Sequence, residues 1–239
     1  MDAALNFMPL SSLVLPTSST SLFPRPLIRK KAKHMPCVSQ ILDNADSSAF
    51  VNTSSKSVTR RLILLRHADS SWNNPSLRDH DRPLSKTGRT DAADVSYKLQ
   101  LLGWVPELIL CSDAMRTRET LSVMQEQVKG FLHAAVHFIP SFYSVAAMDG
   151  QTAAHIQQMI CKFSSDDILT VMCMGHNKGW EEAASMFTGS VIELKTCNAA
   201  LLEATGKSWE EAFESAGLGG WQLQAIVKPD SNLENYVPT

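Results

Sequence analysis

The chain has 239 residues, 44% of them hydrophobic and 19% charged, with a formal net charge of −2. That length and composition suit one globular domain with a substantial core, and the balanced charge gives no electrostatic footprint for nucleic acid or an anionic membrane. No apolar run approaches the roughly 20 residues of a membrane-spanning helix.

Residues 1–56 differ in character from the rest. They are rich in Ser and Thr, hold Pro16, Pro24, Pro26 and Pro36, carry Arg25, Arg29, Lys30, Lys31 and Lys33, and have no acidic residue between Asp2 and Asp43. That is the composition of an organelle transit peptide. A secretory signal fits less well, because the basic residues follow the apolar portion. Abundant serine and late arginine favour a chloroplast over a mitochondrion, and the alternative is a disordered tail with no address. The expected folded domain is 57–239.

From Val58 the pattern alternates between strand and helix. The apolar run Leu62-Ile63-Leu64-Leu65, bounded by Arg60-Arg61, predicts a first buried strand. A polar loop, 72–82, leads to Ser85, a plausible N-cap, and then Ala92, Val95, Leu99 and Leu102 recur at helical spacing until Gly103 closes the helix. Residues 107–111 read as a second strand, and Asp113 is expected to cap a helix through Leu121 and Met124. A short third strand, 136–139, ends at Pro140. Asp149 is expected to cap a helix with Ile156, Met159, Ile160 and Phe163 on one face. Residues 168–174 form a fourth apolar strand, which Gly175 ends by permitting a sharp exit. Trp180, Ala183, Ala184 and Phe187 mark another helix, and the strand-like runs 199–203 and 221–227 flank a helical segment, 208–216. This alternation predicts an α/β fold: a single domain with a mainly parallel sheet sandwiched between helices.

The five cysteines, Cys37, Cys111, Cys161, Cys173 and Cys197, are odd in number and form no C-x-x-C pair. A zinc site and a disulfide framework are therefore not expected, and a reducing compartment fits. Trp180 and Trp221 read as core, and His80, His133, His137 and His155 as surface or loop residues.

Three clusters carry chemistry, each after an apolar strand. Arg66-His67 follows the first, Ser112 through Thr120 follows the second, and Gly175-His176-Asn177 follows the fourth. In an open α/β sheet, ligands bind outside the carboxyl ends of the strands. Arg116 lies in the first turn of a helix whose N-terminal N–H groups favour anions, with Thr120 one turn further on the same face. Arg118 and Glu119 read as a solvated helix surface. Two arginines and two histidines at one edge make a cationic pocket suited to a phosphoryl group. A histidine there can attack phosphorus directly, and nearby arginines favour its neutral, attacking form.

The clusters also carry a resemblance. Arg66-His67-Ala68-Asp69-Ser70-Ser71-Trp72-Asn73 resembles the R-H-G-E-S-x-W-N signature of the histidine phosphatase superfamily, which includes the phosphoglycerate mutases, with Ala for Gly and Asp for Glu. Arg82-Pro83-Leu84-Ser85-Lys86-Thr87-Gly88 resembles its R-P-L-[ST]-x-x-G element. Ser112 through Thr120 resembles its S-x-x-x-R-[TA]-x-[EQ]-T element, and Gly175-His176-Asn177 its G-H-N. The short chain is most similar to the small bacterial phosphohistidine phosphatases. The resemblance implies a phosphoglycerate mutase-like fold, His67 as nucleophile, and Arg66, Arg116 and His176 as holders of the phosphoryl oxygens. It implies Asn73, Ser70 and Asn177 as substrate-binding residues.

The resemblance also implies an acid in the loop after the third strand. Here that loop reads Ile139-Pro140-Ser141-Phe142-Tyr143-Ser144, with no carboxylate before Asp149. The expected substrate is therefore phosphohistidine or another activated phosphoryl group, on a phosphoprotein or small molecule, with no metal, cofactor, nucleic acid or membrane partner. Asp69 and Asp149 are the candidate acids for an alternative, a sugar-phosphate phosphomonoesterase. A non-catalytic phosphate-binding pseudoenzyme is disfavoured by the intact quartet of Arg66, His67, Arg116 and His176.

Overall fold

The structure, a computed structural model, describes residues 56–229. Apart from Lys56, the expected targeting segment lies outside the described residues. The chain runs β1 (Val58–Arg66), α1 (Lys86–Leu101), β2 (Leu108–Cys111), α2 (Met115–Gln127), β3 (Ala135–Phe138), α3 (Ser141–Val145), α4 (Thr152–Phe163), β4 (Thr170–Gly175), α5 (Gly179–Thr188), β5 (Ala199–Gly206), α6 (Trp209–Ala216) and β6 (Gln222–Val227).

The six strands form one sheet in the order β3-β2-β4-β1-β5-β6. The first four pair in parallel, and β5 and β6 add antiparallel at the β1 edge. Side chains alternate across a strand, and here the alternation sorts the layers. Leu62, Leu64, Val171 and Cys173 pack with residues of α4, α5 and α6, such as Ile156, Trp180 and Phe213. Ile63, Leu65, Met172 and Met174 pack on the other face with residues of α1 and α2, such as Val95, Leu99 and Met124. Both faces are covered, which is why the strands read as unbroken apolar runs.

Several local expectations change. Arg60 and Arg61 lie inside β1, and Arg60 is fully buried, donating to the carbonyls of Asp166, Ile168 and Lys207. A guanidinium can sit there because main-chain oxygens answer its donors. Ser85 does cap α1, its hydroxyl accepting from Gly88 N at 2.9 Å. Asp113 and Asp149 do not cap. The N-cap positions of α2 and α4 are Ala114 and Gln151, neither with a side-chain cap bond. The Asp113 carboxylate is held instead by His80 Nε2 at 3.1 Å, and Asp149 lies exposed in the turn before α4. Gly175 has no positive φ. It is glycine for space, because a Cβ there would fall 2.2 Å from the Trp180 indole.

Candidate active site

Strand register brings three separate parts of the chain to one edge. Arg66 pairs with Gly175, and Cys111 with Met174, so β1, β4 and β2 end level with one another. The ladder continues past the strands, with His67 N donating to Gly175 O at 3.0 Å and Ser112 N to Met174 O at 2.9 Å. His67, His176 and the start of α2 are thereby delivered side by side.

Two further bonds fix the His67 main chain. Cys197, in the left-handed conformation at φ 59°, donates its N–H to His67 O at 3.0 Å. Thr120 accepts from Ala68 N at 3.1 Å and donates to Arg116 O at 2.7 Å, tying the first turn of α2 to the end of β1.

The hydrogen bonds assign both histidine tautomers. His67 Nδ1 lies 2.7 Å from Ala68 O, and a carbonyl only accepts, so Nδ1 carries the proton. Arg116 Nε donates to His67 Nε2 at 3.1 Å, which requires a lone pair on Nε2. Arg116 Nη2 lies 3.3 Å from His176 Nδ1, and Ser112 Oγ lies 2.7 Å from His176 Nε2. His176 therefore holds its proton on Nε2, donates it to Ser112, and accepts from Arg116. The two rings stand 5.2 Å apart.

Burial is the main reason both rings stay neutral. It pushes His67 down from 6.5 to about 4, opposed by the Ala68 bond and reinforced by Arg116 and Arg66. Burial, then His67 and Arg116, push His176 down to about 2. Arg66, half-buried, donates from Nη1 to Leu194 O at 2.8 Å, while its Nε has no partner among the described residues.

The other expected residues are less centrally placed. Ser70 forms an isolated bridge with Leu84. Asn73 and Asn177 are exposed. Asn73 N donates to Ser71 Oγ at 3.3 Å, and Asn177 O accepts from Gly179 N. The Asp69 carboxylate accepts from Ser85 Oγ at 2.7 Å and so belongs to the start of α1. Gly88 is required beside it, since a Cβ would meet Asp69 O at 2.2 Å.

The carboxylate at the quartet is one that sequence reasoning passed over. Asp79, in the 72–82 loop, accepts from Arg116 Nη2 at 2.8 Å on Oδ2 and from Arg116 Nη1 at 2.5 Å on its main-chain oxygen. Tyr143 OH donates to the same Oδ2 at 2.9 Å, and the Tyr143 ring stands edge-on to His176 at 5.2 Å. Desolvation raises the Asp79 carboxyl, but the bonds from Arg116 and Tyr143 outweigh it and hold it below the usual range. The available signal was the run Asp79-His80-Asp81 directly before the R-P-L element.

The loop is held from several sides. Arg82 is buried beneath exposed Trp72, with its guanidinium 3.9 Å from the ring centroid. Its Nε lies 3.8 Å from Asp79 Oδ1, and neither Nε nor Nη1 has a hydrogen-bond partner among the described residues. Glu119 accepts from Leu84 N at 2.8 Å and Arg89 Nη2 at 2.9 Å, so it clamps the R-P-L turn instead of facing only solvent. Among the described residues, no three His, Cys, Asp or Glu side chains are grouped to hold a metal ion.

The family model described as "Histidine phosphatase superfamily (branch 1)" matches residues 62–175. The chain is similar to an uncharacterized chloroplastic protein of Arabidopsis thaliana, 67% identical over 186 residues, which covers 78% of this chain and 85% of that one. Among solved structures it is similar to the SixA protein of Nakamurella multipartitia, with a TM-score of 0.59, 23% identity, and coverage of 73% of this chain and 98% of that one. It is also similar to the protein histidine phosphatase SixA in complex with tungstate, with a TM-score of 0.55, 16% identity, and coverage of 71% and 97%. At these identities the structural likeness establishes the fold.

Proposed function

We propose that this chain, which belongs to the histidine phosphatase superfamily, is a metal-independent phosphatase that works through a phosphohistidine on His67. The observation that carries the reading is the pair of bonds on the His67 ring. Ala68 O takes the Nδ1 proton, and Arg116 points at the lone pair on Nε2. A neutral ring with that lone pair at a cationic strand edge is a nucleophile for phosphorus.

The remaining residues follow from charge. A phosphoryl dianion entering the site would draw Arg116 off Nε2 and off Asp79. Arg66 and Arg116 would then donate to its equatorial oxygens, and His176, whose Nδ1 is a bare acceptor in the free site, would join them on taking up a proton beside the dianion. Ser112, bonded to His176 Nε2, fixes that ring's orientation. The remaining contacts we propose are Ser70, Asn73 and Asn177, to the rest of the substrate. The SixA structure with tungstate, a tetrahedral oxyanion, supports this use of the fold.

The substrate class we propose is phosphohistidine or another activated phosphoryl group, on a protein or a small molecule. Asp79 favours a second reading, hydrolysis of small-molecule phosphomonoesters, because it sets a carboxylate beside the phosphoryl site. We also propose that the domain acts in the chloroplast behind a transit segment within 1–56. The chloroplastic relative and the composition of that segment support this.

The test is a hydrolysis panel of p-nitrophenyl phosphate, sugar phosphates and a phosphohistidine protein, each with and without a chelator. Turnover that survives chelation and is inhibited by vanadate is expected. Turnover abolished by the chelator and restored by a divalent metal would overturn the mechanism.

A further inference from the structure

His80 follows Asp79 in the short 3₁₀ turn Asp79–Asp81, and both nitrogens of its ring meet carboxylates. Nε2 lies 3.1 Å from Asp113 Oδ1, and Nδ1 lies 3.3 Å from Asp81 Oδ1. An ionised carboxylate only accepts, so both bonds form together only when the ring carries two protons. A neutral ring must turn a lone pair on one of the two carboxylates. The ring is 37% exposed, so its proton exchanges with solvent. The Asp113 bond, opposed by partial burial and joined by the Asp81 bond, raises His80 above its ordinary 6.5.

These bonds join the turn to another element. Asp113 lies just before α2, whose Arg116 donates from Nη1 to the main-chain oxygen of Asp79 and from Nη2 to its Oδ2. A carboxylate can leave a guanidinium by turning its side chain, but a main-chain oxygen leaves only when the backbone moves. Withdrawal of the turn from Arg116 therefore requires His80 to leave Asp113.

We infer that His80 is a positioning residue: its imidazolium pins the Asp79–Asp81 turn to the head of α2 and keeps Arg116 on Asp79, and loss of its proton frees that guanidinium for a phosphoryl dianion. This rests on the reading of Arg116 as a phosphoryl ligand. Proton and dianion then compete through the turn. The proton favours the turn seated on Arg116, the dianion favours Arg116 without it, and by linkage each weakens the other.

The neighbours of the ring fit this role. In the turn, Arg78 Nε donates to Asp81 Oδ2 at 2.7 Å and leaves Oδ1 to His80. At the head of α2, Arg118 Nε donates to the main-chain oxygen of Asp113, so the Asp113 carboxylate is left to the ring. Tyr143 stands edge-on to His80 at 5.0 Å and bonds Asp79 through its hydroxyl. His176 stands on the Tyr143 ring in turn, and the charge of His80 adds to the causes that keep His176 neutral. Loss of the His80 proton therefore also eases the uptake of one by His176 beside a dianion.

The test is calorimetric titration of the full chain with sulfate, which stays a dianion from pH 6 to pH 9. Wild type is compared with His80→Asn and Arg116→Ala. At pH 6 wild type should bind sulfate about two- to fivefold more weakly than His80→Asn, the strength of a half-exposed ion pair. The two should converge by pH 9. In wild type alone, the His80 ring protons followed by NMR should titrate at lower pH with sulfate bound, so the result does not hang on one variant folding. Tighter binding by wild type at pH 6 would make His80 a simple cation of the pocket, and an affinity ratio equal at every pH would make it a fixed prop of the loop. Either result overturns the inference. If Arg116→Ala binds sulfate as wild type does, the reading of Arg116 fails first, and the two failures are distinct.

Discussion

Arg116 Nε donates to Nε2 of His67 at 3.1 Å, while the same guanidinium grips Asp79 through both of its other nitrogens. One cation thus touches the nitrogen proposed as nucleophile and the half-exposed Asp79 carboxylate. If a phosphoryl dianion displaces Asp79 from Arg116, as proposed, loss of this guanidinium should be felt at every step.

Arg116→Ala and His176→Ala should each lower kcat/KM by about 10²- to 10³-fold, the loss typical of one donor to a developing oxyanion. Arg116→Lys should recover little, because an ammonium cannot reach His67, Asp79 and a phosphoryl oxygen from one planar fork. Steady-state kinetics on p-nitrophenyl phosphate measures this. Near-full activity in Arg116→Lys would contradict the geometry.

Replacing His67 by Ala should abolish turnover with the fold retained, since the other groups only hold oxygens and leave residual catalysis. Rapid quenching of the wild type with labelled substrate should trap label on His67, stable to base and labile to acid. Label on serine or cysteine would refute the assignment.

The pH dependence follows from the lowered histidines. His67 is held at about 4, below its ordinary 6.5, so the attacking form persists under mild acid. The acidic limb of kcat/KM due to this ring should therefore fall near pH 4, not near 6.5. Stability moves with it. Between 6.5 and 4 the unfolded chain takes up a proton that the folded site refuses, so stability is fully present above 6.5 and declines as pH falls through that window. His176, held at about 2, acts in the same direction. Urea midpoints at pH 7.5, 5.5 and 4.5 should decrease in that order, and His67→Phe should flatten the trend.

Gly175→Ala should destabilise by about 1–3 kcal/mol, the cost of overpacking a filled core. The added Cβ would lie 2.2 Å from Trp180, whose Nε1 is anchored to Cys173 O at 3.0 Å. The strain falls one residue before His176, so activity should drop together with the melting temperature. Trp180→Phe in the same chain should relieve part of both losses. An unchanged melting temperature in Gly175→Ala would show that the indole yields freely.

A fusion of the full chain to a fluorescent protein should enter chloroplasts, and one lacking residues 1–52 should stay in the cytosol with activity intact. The truncation begins at Thr53, ahead of β1 at Val58. A diffuse signal from the full fusion would reject targeting, and mitochondrial signal would select the other organelle.

The strands, their order along the chain and the helices between them were legible because burial on two faces leaves uninterrupted apolar runs, such as Leu62-Ile63-Leu64-Leu65. Arg66, His67, Arg116 and His176 were legible as a group because each closely follows such a run, and parallel strands end at one edge. The loop 72–82 was not legible in this way. Its path depends on Glu119, Asp113 and Arg116 reaching across from other parts of the chain, and polar loop residues carry no periodicity that records distant partners. For that reason Asp79 was missed, while Asp69 and Asp149 were weighed by their places in sequence. The tautomers of His67 and His176 likewise depend on a carbonyl and a guanidinium brought in by the fold. Spacing along the chain limits which residues can meet; contacts across the fold decide which nitrogen is free and which carboxylate meets Arg116.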